Sequence, residues 1–304
     1  MNILRLVGGG YEAWILPEKG ANCIRLWRPD SGVEALRTLP EGPVENPYLY
    51  GTPLLFPPNR IAGGRFALGG REYHLPVNEP ATGCFLHGTL HQTPFDVADS
   101  STSRARLCYR AEAGAYLGFP HAFTMELSYV LGEAGLVQQV RLTNESKLPM
   151  PAAVGFHTTF RLPFVPDSKV DDVRLQLSLG EEYLRNMATF LPTWETAVNT
   201  PFHDQAGAGE LVPCRETISR HFAQGPEHKM ILTDQHTGVR IVYHTPDYGF
   251  WMVYNGGAKD FLCVEPQTWV NDAPHAPFDP QKSGFASLDP GKSLVLRTEL
   301  AILS

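Results

Sequence analysis

The sequence predicts an all-β protein built as one large antiparallel β-sandwich. Apolar and polar residues alternate with a period of two in several stretches, which is the pattern of strands with one buried face. No strand–helix–strand alternation recurs, so a parallel α/β sheet is not expected. Glycine (28 residues) and proline (26) make up about 18% of the 304 residues, against roughly 12% in an average protein, which indicates many turns in an ordered chain.

The clearest strand predictions lie in the middle and at the end of the chain. The alternating segments are Arg104–Ala111, Phe123–Val130, Leu136–Asn144, Val239–His244 and Ser293–Leu303. Gly132 and Gly135 bracket a four-residue turn between the second and third of these segments. Because glycine supplies the positive φ angles of such turns, the two segments predict an antiparallel hairpin. The last segment returns the chain to the same core.

The remaining elements are less regular. Glu181–Phe190 is the best short helix candidate, although it has no long apolar stripe. The proline-rich stretches Pro40–Pro58 and Pro266–Pro280 are flanked by strand-like segments, so we interpret them as surface loops inside one domain that spans residues 1–304.

Composition and charge exclude several classes of protein. The net charge is −7, which disfavours nucleic-acid binding. The N-terminus shows no signal-peptide pattern and no run of 18 apolar residues occurs, so we expect a cytoplasmic protein without a membrane partner. The five cysteines are scattered and form no C-x-x-C pair, which predicts free thiols rather than disulfides or a zinc site. They are Cys23, Cys84, Cys108, Cys214 and Cys263.

Two segments in the first third of the chain carry candidate binding residues. Asn59 and Arg60 follow a proline pair, and the Arg60 side chain could hold a hydroxyl or an anion with its fork of donors. A turn arginine on a solvated rim is the alternative. His87 precedes a glycine that permits close backbone approach. His87 and His91 are four residues apart, but no H-E-x-x-H glutamate accompanies them, so no metal site is expected.

Two later segments carry candidate acid–base residues. His157 lies in an apolar, aromatic run, where it is either a satisfied core residue or, if it faces a pocket, a proton shuttle. Glu265 follows the apolar strand Phe261–Val264 and precedes Pro266, which we expect to end the strand. A carboxylate at the end of a buried strand is costly unless it is paired or used.

Aromatic residues accompany these polar segments, and Trp251 is among them. Flat rings beside groups that bind hydroxyls suit a small polar ligand such as a sugar. The sequence contains no G-x-S-x-G motif, no P-loop and no dinucleotide-binding glycine motif in a suitable context. We therefore expect no cofactor.

Six groups of motifs occur in a characteristic order along the chain. They are Ala13–Asn22; Leu55–Ile61 with Gly64–Phe66; Leu75–Glu79 with Leu86–Gly88; Gly155–His157; Cys263–Pro266; and Leu288–Gly291. In this order the chain resembles the aldose 1-epimerase (galactose mutarotase-like) family nearly from end to end. The resemblance implies a supersandwich fold and opening of a sugar ring at its anomeric carbon.

The resemblance also implies roles for the candidate residues. Glu265 would be the general base and His157 the general acid, while His87 and Arg60 would bind the substrate. Galactose-specific members carry an Asp between the second His and the Glu. Here Ser219–Phe222 stands in that region without an Asp, so Asp234 or Asp247 would have to serve.

Three functions remain open at this stage. The first is an aldose 1-epimerase that acts on a free sugar, as a monomer or homodimer. The second is a hexose-6-phosphate epimerase, which should gather cations on one rim; Arg60, Arg65, Arg71 and Arg25 are the candidates. The third is a non-catalytic carbohydrate-binding protein, which would need no acid–base pair.

Overall fold

The structure is a computed structural model that describes residues 2–304. Its first half consists of strands and short 3₁₀ turns. The strands are β1 (Leu4–Gly8), β2 (Tyr11–Leu16), β3 (Asn22–Arg28), β4 (Val33–Glu34), β5 (Leu54–Leu55), β6 (Arg60–Ala62), β7 (Arg65–Leu68), β8 (Arg71–His74), β9 (Cys84–Leu86), β10 (Asp96–Ser100), β11 (Arg104–Ala111), β12 (Phe123–Gly132) and β13 (Gly135–Asn144).

The second half adds thirteen strands and two short helices. The strands are β14 (Met150–Pro151), β15 (Gly155–Phe156), β16 (Thr159–Arg161), β17 (Val173–Leu177), β18 (Leu179–Arg185), β19 (Pro192–Ala197), β20 (Ser219–Gln224), β21 (Lys229–Asp234), β22 (Arg240–His244), β23 (Phe250–Tyr254), β24 (Phe261–Gln267), β25 (Ser287–Leu288) and β26 (Ser293–Leu303). The helices are α1 (Pro201–Ala208) and α2 (Pro280–Ser283).

Two eight-stranded antiparallel sheets form the body of the fold, which confirms the predicted all-β class. One sheet has the order β10-β11-β12-β13-β26-β22-β21-β17, and we call it the outer sheet. The other has the order β19-β18-β20-β23-β24-β15-β5, with β16 also paired to β24, and we call it the site sheet. The Tyr243 ring of the outer sheet lies 5.6 Å from Phe160 and 6.2 Å from Trp251 of the site sheet, so the two sheets pack face to face.

The predicted central hairpin is confirmed. Strands β12 and β13 pair in register from Phe123↔Asn144 to Gly132↔Gly135. Buried residues alternate along both strands, as expected for one core-facing and one outer face. The final strand β26 pairs with β13 and β22, which places it inside the outer sheet rather than at its edge.

The helix expected over Glu181–Phe190 is not present. Leu179–Arg185 instead forms β18, which pairs with β19 on one side and β20 on the other. Pairing on both edges overrides the weak local helical preference. This difference matters for the site because β18 ends at Arg185.

The two proline-rich stretches are only partly surface loops. Leu54, Leu55 and Phe56 are buried, and β5 joins the site sheet. Pro266 does not end its strand, because β24 continues to Gln267.

Pro266 lies where the strand needs no backbone donor. The amides of Val264 and Thr268 donate to the carbonyls of Thr158 and Val154. The position between those two amides is that of Pro266, which has no N–H to give. It faces the break between β15 and β16 that carries His157. The backbone amide of His157 donates instead to the Pro53 carbonyl at 2.9 Å.

All five cysteines are buried free thiols, as predicted. Within residues 2–304, no helix is long and apolar enough to cross a membrane.

Candidate active site

A cleft with a volume of about 830 Å³ opens on the site sheet. It brings together five residues from sequence segments that lie far apart: Asn59, Arg60, His87, His157 and Glu265. Strand β24 carries Glu265, the turn between β15 and β16 carries His157, and the β6–β9 ribbon with its flanking turns carries the others. These are five of the seven residues proposed for the site from the sequence.

Glu265 and His157 form the centre of the cleft. His157 Nε2 lies 3.2 Å from Glu265 Oε1. The other oxygen of Glu265, Oε2, accepts a hydrogen bond from Gln267 Nε2 at 3.1 Å. Glu265 is only 1% exposed and His157 only 7% exposed, so the small open part of each side chain faces the cleft.

Burial shifts the pKa of both groups towards their neutral forms. Desolvation raises the pKa of Glu265 from its ordinary 4.5 to about 8, although the positive charges of Arg185 and Arg60 oppose that shift. Desolvation lowers the pKa of His157 to about 3. Between these values the two residues together hold one proton, and the 3.2 Å contact lets that proton lie on either residue.

His87 presents one ring nitrogen to the cleft. Its Nδ1 accepts a hydrogen bond from the Asn59 amide at 3.1 Å, so Nε2 carries the proton of the neutral ring. Burial lowers the pKa of His87 well below its ordinary value. The next residue must be glycine, because Gly88 has φ +71° and a Cβ there would lie 2.2 Å from the Phe56 carbonyl oxygen.

Asn59 links the binding residues to the acid–base pair. It is buried in a left-handed conformation with φ 60°, which asparagine tolerates better than most residues. Its Nδ2 donates to Gln267 Oε1 at 3.2 Å, and Gln267 donates in turn to Glu265. Asn59 therefore orients His87 through its backbone amide, and it orients Glu265 through the side chain of Gln267.

Arg60 does not carry a free positive charge. Its Nε and Nη2 each donate to a carboxylate oxygen of Glu79 at 2.6 Å. This paired fork lies over the Phe190 ring at 4.9 Å. The pairing fixes the guanidinium plane at the cleft wall and neutralises it.

Two residues proposed from the sequence lie outside the cleft. Trp251 is fully buried because it points into the space between the sheets; its strand neighbours Met252 and Tyr254 line the cleft instead. Asp234 is fully buried in the outer sheet, where its Oδ1 caps a turn by accepting from the backbone and hydroxyl of Thr237, both at 2.8 Å. Contrary to the sequence prediction, neither residue lines this cleft.

The arginines considered for a phosphate rim are also separated. Of the four arginines considered, only Arg60 lines the cleft. Arg65 and Arg71 are exposed on the β7–β8 ribbon, and Arg25 pairs with Glu34 at 2.9 Å on another sheet.

Sequence reasoning missed four residues of the site. Gln267 could have been found, because it lies two positions after Glu265 and so on the same face of the strand. Arg185 was missed because its segment was predicted to be a helix. Ser219 was missed because its segment was considered only as the place of an aspartate. Tyr48, whose ring lies 4.9 Å from His87 and 5.8 Å from His157, sits in a stretch interpreted as a surface loop.

One group of side chains in residues 2–304 could hold a metal ion. His87, His157 and Glu265 each offer a ligand atom, and these atoms lie within 4.8 Å of one another. A bound cation would have to displace the proton that the pair holds at neutral pH. The expectation of a metal-free site stays a prediction.

The raised pKa of Glu265 predicts a pH-dependent gain in stability on its replacement. A carboxyl group with a raised pKa contributes stability that is present below 4.5 and lost as pH rises through about 8. Glu265→Gln does not titrate, so we expect its free energy of unfolding to exceed that of the wild type by about 1 kcal/mol or more at pH 9. No such gain is expected at pH 4, below the ordinary pKa of 4.5. Denaturant unfolding at both pH values measures this, and a pH-independent difference would contradict the raised pKa.

Comparisons with known proteins agree with this fold. A sequence model described as Aldose 1-epimerase matches residues 3–301. A galactose mutarotase-like protein of Clostridium acetobutylicum is 29% identical, with a TM-score of 0.93 over 99% of this chain and 95% of that one. Galactose mutarotase of Mus musculus is 30% identical over 139 residues, which are 44% of this chain and 38% of the mouse protein. YihR of Escherichia coli is 27% identical over 147 residues, or 48% of this chain and 46% of YihR.

The matched segments span less than half the length of these two curated relatives. The family model and the Clostridium acetobutylicum structure, in contrast, cover nearly all of this chain. The chain therefore belongs to the aldose 1-epimerase family.

Proposed function

We propose that this protein interconverts the α and β anomers of a sugar by opening and reclosing its ring. The observation that carries the proposal is the contact of 3.2 Å between His157 Nε2 and Glu265 Oε1 at the wall of an open, polar cleft. A carboxyl and an imidazole that meet at one point can exchange protons with two oxygens bonded to the same carbon.

The proton transfers balance without any other reactant. When the shared proton lies on His157, Glu265 accepts the proton of the anomeric hydroxyl while His157 donates its proton to the ring oxygen. The bond between the anomeric carbon and the ring oxygen breaks, and an open-chain aldehyde forms. After rotation about the adjacent C–C bond, the two residues reverse these transfers and the ring closes on the other face. The pair ends with the single proton that it held at the start.

The surrounding residues support this chemistry by orienting the reacting groups. His87 offers an Nε2–H donor whose direction the Asn59 amide fixes, and this donor would bind an oxygen near the anomeric centre. Gln267 holds Glu265 in one rotamer through a hydrogen bond to Oε2. The Tyr48 and Phe190 rings form apolar walls against which a sugar ring can pack.

The rate of catalysed anomer exchange should depend on the number of protons that Glu265 and His157 hold together, and therefore on pH. We expect kcat/KM to be level between pH 5 and 7, where the pair holds one proton, and to fall about tenfold per unit above pH 8, as Glu265 loses that proton. Polarimetry with a subtracted enzyme-free rate at each pH measures the profile. A rate that keeps rising to pH 10 would contradict the shared-proton mechanism.

The alternative of a carbohydrate-binding protein without activity makes a different prediction. It requires tight sugar binding with no acceleration of anomer exchange. The buried acid–base pair disfavours it, because burying Glu265 is costly and binding alone does not need that cost.

A further inference from the structure

Arg185 is a positive charge in the cleft that makes no direct contact with a carboxylate. Within residues 2–304 it forms no ion pair, whereas Arg60 is held by both oxygens of Glu79. Its Nη2 donates to the Ser219 hydroxyl at 2.8 Å and to the Ser219 carbonyl. No hydrogen bond from its Nε or Nη1 is found in the described part of the chain, so three N–H groups of this cleft-lining residue remain without a protein acceptor.

The surroundings of Arg185 make this free charge costly. The side chain is partly buried, and this burial together with repulsion from Arg60 lowers its pKa to about 10. The charges of Glu265 and Glu182 oppose this shift, but Glu182 is paired with Arg220 and Glu265 contacts His157 rather than Arg185. Glu45 also lines the cleft but is exposed at the rim. Arg185 is partly exposed to the cleft, so its free N–H groups are open to an anionic group of a ligand there.

The geometry around Arg185 is built to hold the guanidinium in place. Ser219 accepts a hydrogen bond from Nη2 at one end of the guanidinium, and the Cζ atom of Arg185 lies 6.0 Å from the centroid of the Phe190 ring. Ser219 occupies the segment Ser219–Phe222, in which the sequence has no aspartate. A hydroxyl with an adjacent free arginine thus lines this wall, where a carboxylate would repel an acidic ligand.

We propose that the sugar substrate carries an acidic group away from its anomeric carbon and that Arg185, supported by Ser219, binds this group. The inference rests on the proposed function, because it names the class of sugar that the same cleft accepts. The anomeric carbon must stay free to react, so the acid is carried on another carbon. Phosphate, carboxylate and sulfonate all fit a planar fork of N–H donors.

This proposal is tested by comparing the binding of glucose derivatives that differ only in the group carried on the carbon farthest from the anomeric centre. The probes are the methyl glycosides of glucose, glucose 6-phosphate, glucuronate and 6-deoxy-6-sulfoglucose, whose rings cannot open. Calorimetry at pH 6 then measures binding without turnover, in a range where Glu265 is protonated with or without Arg185. We expect the wild type to bind at least one acidic glycoside about 10- to 100-fold more tightly than the neutral one. The tightest of the three identifies the acid.

Variants of Arg185 show whether this residue binds the acidic group itself or affects the affinity of the cleft for every sugar. Arg185→Met should remove the preference for the acidic glycoside and leave affinity for the neutral one within about twofold. Arg185→Lys keeps the charge but loses the fork, so it should retain part of the preference. Arg215→Met is the matched control, because Arg215 is exposed and pairs with Asp171 away from the cleft; it should bind like the wild type.

Two results would overturn the inference: equal affinity of the wild type for neutral and acidic glycosides, or an equal loss of both in Arg185→Met. The wild-type panel gives this answer even if the variants fold poorly. The proposed function fails separately. If acidic glycosides bind through Arg185 but the corresponding reducing sugars show no accelerated anomer exchange, recognition stands and the epimerase proposal does not.

Discussion

We expect Glu265→Gln to reduce catalysed anomer exchange by about 10³- to 10⁴-fold, at the upper end of the usual contribution of a general acid or base. The amide keeps the shape of the side chain and can still contact Gln267, but it cannot accept the proton of the anomeric hydroxyl. The KM should change little, because the binding donors on His87 and Arg185 remain. Polarimetry on a sugar that the wild type accepts measures the loss.

A second Glu–His pair provides the matched control. Glu299 Oε2 lies 3.2 Å from His244 Nδ1, the same separation as in the cleft, but this pair belongs to the outer sheet and does not line the cleft. Glu299→Gln should retain the wild-type rate within about twofold, as is usual for partly exposed positions. A Glu265→Gln variant that is folded and as active as the control would exclude Glu265 as the base.

The second large effect is expected for His157→Asn, with a loss of about 10²- to 10⁴-fold. Asparagine can donate a hydrogen bond to the ring oxygen but cannot transfer a proton to it. Since the two residues handle one shared proton, the double variant with Glu265→Gln should be little slower than the worse single variant. His244→Asn is the control and should stay near the wild-type rate.

Additive losses in the double variant would contradict the shared proton, because they would mean that the residues act independently. Retained activity in His157→Asn would point to another acid. The nearest candidate is His87, whose ring centroid lies 5.5 Å from that of His157.

The sequence alone was sufficient for the strands with strict alternation, such as Arg104–Ala111 and Ser293–Leu303, because alternation depends only on local burial. It was insufficient for Leu179–Arg185, whose state is decided by pairing with distant strands on both edges. The same limit hid Arg185, since a residue at the end of a strand reaches the cleft only through that pairing.

Within the site, the polar groups next to motif prolines and glycines were predictable. Which of the alternating residues of a strand face the cleft was not predictable. Met252 rather than Trp251 faces the cleft, and one residue of register separates the two outcomes. The length of β24 was missed because Pro266 is tolerated where the neighbouring segment breaks to carry His157. The overall charge of −7 does not reveal the local positive charge of Arg185 in the cleft, on which the proposal of an acidic sugar rests.

The most direct test of the acid–base pair is magnetisation-transfer NMR between the anomeric protons of a reducing sugar at equilibrium. The panel contains glucose, galactose and the three acidic glucose derivatives, each measured with the wild type, with Glu265→Gln and without protein. The account predicts exchange cross-peaks with the wild type for at least one acidic sugar, and their loss with the variant. Cross-peaks of equal intensity with the wild type and with Glu265→Gln, or none above the protein-free sample for any of these sugars, would contradict it.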